Sequence, residues 1–101
     1  MIVYNITNKV DPAIESAWIK WQKEEHIPEI MSSLQFTDYK FYKLLDQDES
    51  EGITYIIQYF AQDIQHYNTY IESFAGDLRK KAITKWGNQF IAFRTIMQIV
   101  D

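Results

Sequence analysis

Apolar residues in this chain repeat at two different periods, and the order in which the periods alternate leaves few folds open. From about Met1 to Thr7 the residues alternate and are rich in Ile, Val, Tyr and Thr, the pattern of a strand. Asp11-Pro12 then reads as a helix start, with Asp as the cap, Pro at the first helical position and Glu15 in the first turn. Ile14, Ala17, Trp18, Trp21 and Glu25 follow at helical spacing, and four of these five are apolar. Pro28 lacks an amide hydrogen, so the helix is expected to end or kink near His26-Ile27, with Glu29 to Ser33 adding a short helical turn.

Alternation returns from about Phe36 to Leu45 and again from Ile53 to Ala61, and the acidic, Gly-terminated stretch Asp46–Gly52 between them predicts a hairpin. Asp63 caps a second helix with Ile64, Tyr67, Ile71, Phe74, Ala75, Leu78 and Ala82 as its apolar stripe. Gly76 weakens that helix, and Gly87 after Trp86 suits its left-handed cap. A last strand is expected from Phe90 to Val100. Strand, helix, strand, strand, helix, strand in one domain over residues 1–101 predicts an α+β, ferredoxin-like βαββαβ sandwich. It has a four-stranded antiparallel sheet with both helices on one face.

The second face of that sheet then needs an owner. Val3, Asn5 and Thr7 share a face of the first strand, and Thr54, Ile56, Gln58 and Phe60 a face of the third. Phe90, Ala92, Arg94, Ile96, Gln98 and Val100 form the more polar side of the last strand and are assigned to the same open face. A solvated face would be a polar row, yet this one carries Val3, Ile56, Phe60, Phe90 and Ile96. Pairing of two copies through their sheets follows, most simply as a two-fold homodimer. With 47% hydrophobic and 16% aromatic residues in 101, some surface of a domain this small is expected to be covered by a partner or a ligand.

Composition removes several function classes. There is no cysteine, which excludes disulfides, thiolate catalysis and thiolate metal ligands. The net charge is −4 and the longest basic run is Arg79-Lys80-Lys81, so neither nucleic acid nor an anionic membrane is an expected partner. No signal-peptide pattern and no apolar run of membrane-spanning length is visible, and the expected location is the cytoplasm.

The residues Lys23-Glu24-Glu25-His26-Ile27-Pro28-Glu29, Thr54-Tyr55-Ile56-Ile57-Gln58-Tyr59 and Phe90-Ile91-Ala92-Phe93-Arg94-Thr95 carry a resemblance along nearly the whole chain. They are similar to a family of short bacterial proteins known as domain of unknown function 4286. It looks like a branch of the dimeric α/β-barrel superfamily, which includes small monooxygenases, haem-degrading enzymes, chlorite dismutases and muconolactone isomerases. The resemblance implies a ferredoxin-like fold with two sheets closing a barrel. It implies no activity, because function on such a fold lives in the site.

Three candidate residues stand out for a ligand: Asn5, Gln58 and Arg94. Placed together on the open face, an arginine and two amides would orient a carboxylate or carbonyl, or would satisfy one another across a dimer interface. His26, between Glu25 and Pro28, is a candidate general base, with Arg94 as the second candidate catalytic residue. Its plainer role is a histidine at a helix C-terminus. His66 reads as a surface residue. A haem site built from Asn5, Trp86 and His66 does not reproduce the spacing of haem-degrading relatives, and no cofactor or metal is expected. The function expected first is a small-molecule-binding or sensing homodimer with its cavity on the open sheet face. The alternatives are a cofactor-free monooxygenase- or isomerase-like enzyme, and an interaction module without a site.

Overall fold

Each period change in the sequence becomes an element boundary in the computed structural model, which describes residues Met1–Asp101. Strand β1 (Ile2–Val10) leads through a 3₁₀ turn at Pro12–Ile14 into helix α1 (Glu15–Trp21). A π-helical turn at Gln22–His26 joins α1 to α2 (Ile27–Met31), and the hairpin strands β2 (Asp38–Lys43) and β3 (Ile53–Ala61) follow. Helix α3 (Ile64–Tyr70), a second π-helical turn at Ile71–Ala75 and α4 (Gly76–Trp86) make the second helical rod, before β4 (Phe90–Gln98). The four strands pair antiparallel in the order β2-β3-β1-β4. This is the ferredoxin-like arrangement, with two helical rods on one face of the sheet. No helix is long and apolar enough to cross a membrane.

The helix ends follow the local chemistry. The Asp11 carboxylate accepts the amide of Ala13 at 2.9 Å, and Asp63 accepts that of His66 at 3.0 Å. Gly87 closes α4 at φ +58°, where a side chain would be strained. The first strand runs three residues beyond its expected end at Thr7, because Asn8, Lys9 and Val10 still pair with both neighbours. Strand β2 is shorter than the expected Phe36–Leu45. Thr37 and Leu44 add single backbone bonds to Phe60 and Thr54 at its two ends.

Pro28 does not end the first rod. A proline removes one amide and crowds the carbonyl four residues earlier, here that of Glu24. The backbone answers by widening into the π turn just upstream and continuing to Met31. The wider turn inserts a residue into the helical repeat. Glu25, expected on the inner stripe, is turned to solvent, and His26 and Ile27 rotate inward. The second rod repeats the device. Tyr67 and Tyr70 face the sheet before its π turn, Ile71 and Ala75 within it, and Leu78, Ala82 and Trp86 after it, while Ile64 and Phe74 are left exposed.

The core lies between rods and sheet. Trp18 packs against Phe41 and Tyr55, Trp21 meets Trp86 edge-on at 5.8 Å, and Tyr4 sits amid Phe36, Tyr59, Tyr67 and Tyr70. One expectation about the sheet is reversed. Tyr4 pairs with Ile96 and Ile6 with Arg94, so Phe90, Ala92, Arg94, Ile96 and Gln98 lie on the helix side. Ile91, Phe93, Thr95 and Met97 lie on the open side instead. Alternation in β4 places apolar residues on both faces, so its parity is legible only from its register with β1.

Candidate functional site

The open face is organised in rows across the strands. Its central row is polar throughout: Lys40, Gln58, Asn5 and Thr95 stand opposite one another on β2, β3, β1 and β4. On one side of it lie Asp38, Phe60, Val3 and Met97, and on the other Tyr42, Ile56, Thr7 and Phe93. Gln58 donates to the Asn5 side-chain carbonyl at 3.2 Å and accepts from the Tyr42 hydroxyl at 3.3 Å. Asn5 in turn donates to the Thr7 hydroxyl at 3.3 Å. The result is a hydrogen-bonded chain over three strands, set between apolar bands. Phe93 is 61% exposed and Met97 43%.

Asn5 and Gln58 therefore meet as expected, and Arg94 does not join them. Its side chain leaves β4 on the opposite face, and Lys40 and Thr95 complete the row in its place. Sequence reasoning missed Lys40 and Thr95. It assigned β2 no face and took the opposite parity for β4, so the pairing register was the missing signal. A single chain leaves this row open. The hollow that reaches the face lies at its corner, against Thr37, Asp38, Lys40, Phe60 and Ile99, and does not extend over Asn5 and Gln58.

The helix side gathers the other candidates. His26 stacks on Trp21 with ring centroids 4.4 Å apart and planes 19° from parallel, a contact that the π turn creates by bringing residues five apart into line. Burial pushes the His26 pKa down from 6.5 to about 4; Glu29 opposes that shift, while Arg94 and Lys81 reinforce it. The imidazole is neutral at pH 7. Its proximity to Arg94 brings the two candidate catalytic residues into one neighbourhood, on the helix face, where His26 was expected and Arg94 was not. Lys81 is held by Glu29 at 2.8 Å. Tyr70 belongs to the same region: burial raises its phenol pKa, Tyr4 adds to the rise, and the charges of Arg79 and Arg94 pull it back.

Several polar atoms in this layer have no partner in the protein. The Tyr59 hydroxyl, the Gln22 side-chain carbonyl, the Arg79 Nε and the indole nitrogens of Trp18 and Trp86 are all buried without a hydrogen bond. Such an atom costs about 1–3 kcal/mol unless something answers it. His66 is engaged locally, its Nδ1 lying 2.7 Å from the Asp63 carboxylate at the start of α3. Trp86 is core and Asn5 is on the far face, so the structure does not assemble Asn5, Trp86 and His66 into a haem pocket. No group of three His, Asp or Glu side chains is placed to hold a metal.

Comparisons with solved structures place the fold among known ones. An "ethyl tert-butyl ether d (ethd) family protein" from Bacillus halodurans C-125 superposes with a TM-score of 0.73 at 15% identity, covering 99% of this chain and 100% of that one. A "dimeric ferredoxin-like protein" from an uncultured marine organism gives 0.74 at 10% identity, with 99% and 95% covered. SnoaB from Streptomyces nogalater, described as a cofactor-independent oxygenase, gives 0.66 at 11% identity, with 99% and 93% covered. No curated protein matches the chain. At these identities the similarity speaks for the fold alone. The family model described as "Domain of unknown function (DUF4286)" matches residues 1–100, and the chain belongs to that family.

Proposed function

We propose that this protein is a cytoplasmic homodimer that binds a small molecule in the space enclosed when two open sheet faces meet. The observation that carries this is the open face itself: one polar row, Lys40–Gln58–Asn5–Thr95, whose two central amides bond to each other and to Tyr42 and Thr7, between two bands that carry Phe60, Val3 and Met97 on one side and Ile56 and Phe93 on the other. The bands supply the apolar area that association needs. The row supplies donors and acceptors that a ligand between the sheets would meet, with Asn5 and Gln58 at its centre and the Lys40 ammonium at its end. The fold it shares with a protein described as dimeric is consistent with this assembly.

Native mass spectrometry and sedimentation test it together. The wild type should be a dimer, and Phe93→Lys, which sets a charge in the apolar band, should be a folded monomer. A small molecule carried by the dimer should be lost in Gln58→Leu. A wild type that stays monomeric at about 100 μM, far above the dissociation constants of specific dimers, overturns the reading.

A second reading, a cofactor-free oxygenase- or isomerase-like enzyme, draws support from the fold shared with SnoaB and from His26 beside Arg94. A histidine with a pKa near 4 is a weak base at neutral pH. In that reading His26 serves as a neutral hydrogen-bonding group, and Arg94 carries the charge.

A further inference from the structure

The chain has two arginines, Arg79 and Arg94, and neither has an acidic partner although the sequence holds fourteen Asp and Glu. Each ion pair in the protein is made by a lysine or a histidine. Arginine is the side chain whose planar fork matches a carboxylate, so two arginines left free in an acidic protein mark a place where that fork is available.

The two belong to one region. Arg79 is half-buried on α4, and its Nη2 donates to the Tyr4 hydroxyl at 2.9 Å, while its Nε is buried with no acceptor. Tyr4 lies on the helix side of β1. Arg94 lies on the same side of β4, one pairing step along from Tyr4's partner Ile96. Diagonal neighbours of this kind have their backbones about 7–8 Å apart. The charges of both arginines reach the Tyr70 phenol. Helix α4 does not roof this strip: Arg94, Ile96 and Gln98 are exposed although they face the helical layer. Apolar and aromatic surface flanks the pair, from Ile96 at 47% exposure to the half-buried ring of Tyr67.

We propose that the helix side of β4 binds a small aromatic carboxylate, its carboxylate held between Arg79 and Arg94 and its ring lying on Ile96 and Tyr67. An apolar floor beside the guanidinium pair favours an acid with a hydrocarbon body over an inorganic ion. This site is on the opposite face of the sheet from the row of Asn5 and Gln58, and neither depends on the other.

Benzoate titrated into the full chain, followed by NMR of backbone amides and arginine side chains, tests it. Saturable shifts are expected at Arg79, Arg94, Ile96 and Tyr67, with binding weakened about tenfold or more in Arg94→Gln. Inorganic phosphate should not displace the benzoate. Arg94→Lys, which keeps the charge and loses the fork, should bind several-fold more weakly than the wild type, so the test does not rest on one variant's folding. Shifts that fail to saturate by about 50 mM benzoate, a generous ceiling for so small a ligand, overturn the proposal. So do saturable shifts unchanged in Arg94→Gln, or confined to Asn5 and Gln58. Equal displacement by phosphate overturns the assignment to carboxylates. Benzoate binding retained in the Phe93→Lys monomer separates this site from the dimer reading, since each can then fail alone.

Discussion

The two faces of the sheet are built from the same strands and resolved in different ways. On the helix side, Tyr4, Ile57, Tyr59 and Val10 are almost wholly buried by the rods above them, and aromatic rings pack edge to face from Phe36 to Trp86. On the open side, Phe93, Met97 and Ile91 remain between 43% and 61% exposed, and the central amides of Asn5 and Gln58 bond to each other and to the hydroxyls of Thr7 and Tyr42. The helix side is apolar and close-packed but contains unanswered polar atoms, from the fully buried Trp18 and Tyr59 to the half-buried Arg79. The open side is answered in its polar atoms and unanswered in its apolar ones. One face lacks hydrogen-bond partners and the other lacks cover, so what completes the first is a group and what completes the second is a surface.

Truncation should separate the faces most sharply. Trp18 is fully buried between Phe41 and Tyr55, so Trp18→Ala should destabilise the fold by about 3–5 kcal/mol in urea denaturation, the cost of a large aromatic cavity. Phe93→Ala, on the open face, should leave the unfolding free energy of the isolated subunit within about 0.5 kcal/mol of wild type. Its effect belongs to the association constant. Equal losses at both positions in dilute, monomeric protein would erase the distinction between the faces.

Mild acid should act on the helix side through His26. The folded His26 pKa of about 4 lies below the unfolded value of 6.5, so between those limits the unfolded chain binds more protons than the native one. Stability is then complete above about pH 6.5 and falls as pH drops towards 4. The whole loss attributable to this group is about 3 kcal/mol, from 1.36 kcal/mol per unit. Urea midpoints measured from pH 7.5 to 4 should decline in the wild type more steeply than in His26→Phe, whose phenyl ring can keep the stack on Trp21. Parallel declines would show that His26 is not the group responsible.

The sequence made the order of elements legible because turn chemistry and periodicity agree at each junction: Asp11-Pro12, Asp63 and Gly87 all do in the structure what their residue types predict. In the first rod the π turn shifts the phase by a residue, which is why Glu25 is exposed and His26 turns inward. In the second rod Ala75, Leu78 and Ala82 are buried as the stripe predicts, while Ile64 and Phe74 are exposed and Tyr70, off the expected stripe, is buried. Asn5 and Gln58 were placed correctly because β1 and β3 alternate cleanly. Arg94 was placed on the wrong face because Phe90, Ile91, Ala92 and Phe93 are apolar in succession, and such a run has no phase of its own. The same cause hid the pairing of Arg94 with the helix side, and with it the neighbourhood of His26 and Arg79.

The smallest expected effect bears on why the open face has a polar row at all. Gln58 makes two side-chain hydrogen bonds, to Asn5 and from Tyr42, and is half-buried. Gln58→Leu should lower subunit stability by only about 1 kcal/mol, the net worth of such bonds at a surface where water replaces them. Its effect on pairing discriminates more. A leucine there would join the two apolar bands into one, and desolvating an amide between sheets is unfavourable unless it finds a partner. Sedimentation equilibrium should therefore show a tighter dimer in Gln58→Leu than in the wild type. That outcome means the row is retained against the interest of association, as a group that receives a ligand would be. A weaker dimer would mean that Gln58 bonds across the interface, and that the row sets the register between two copies of the sheet.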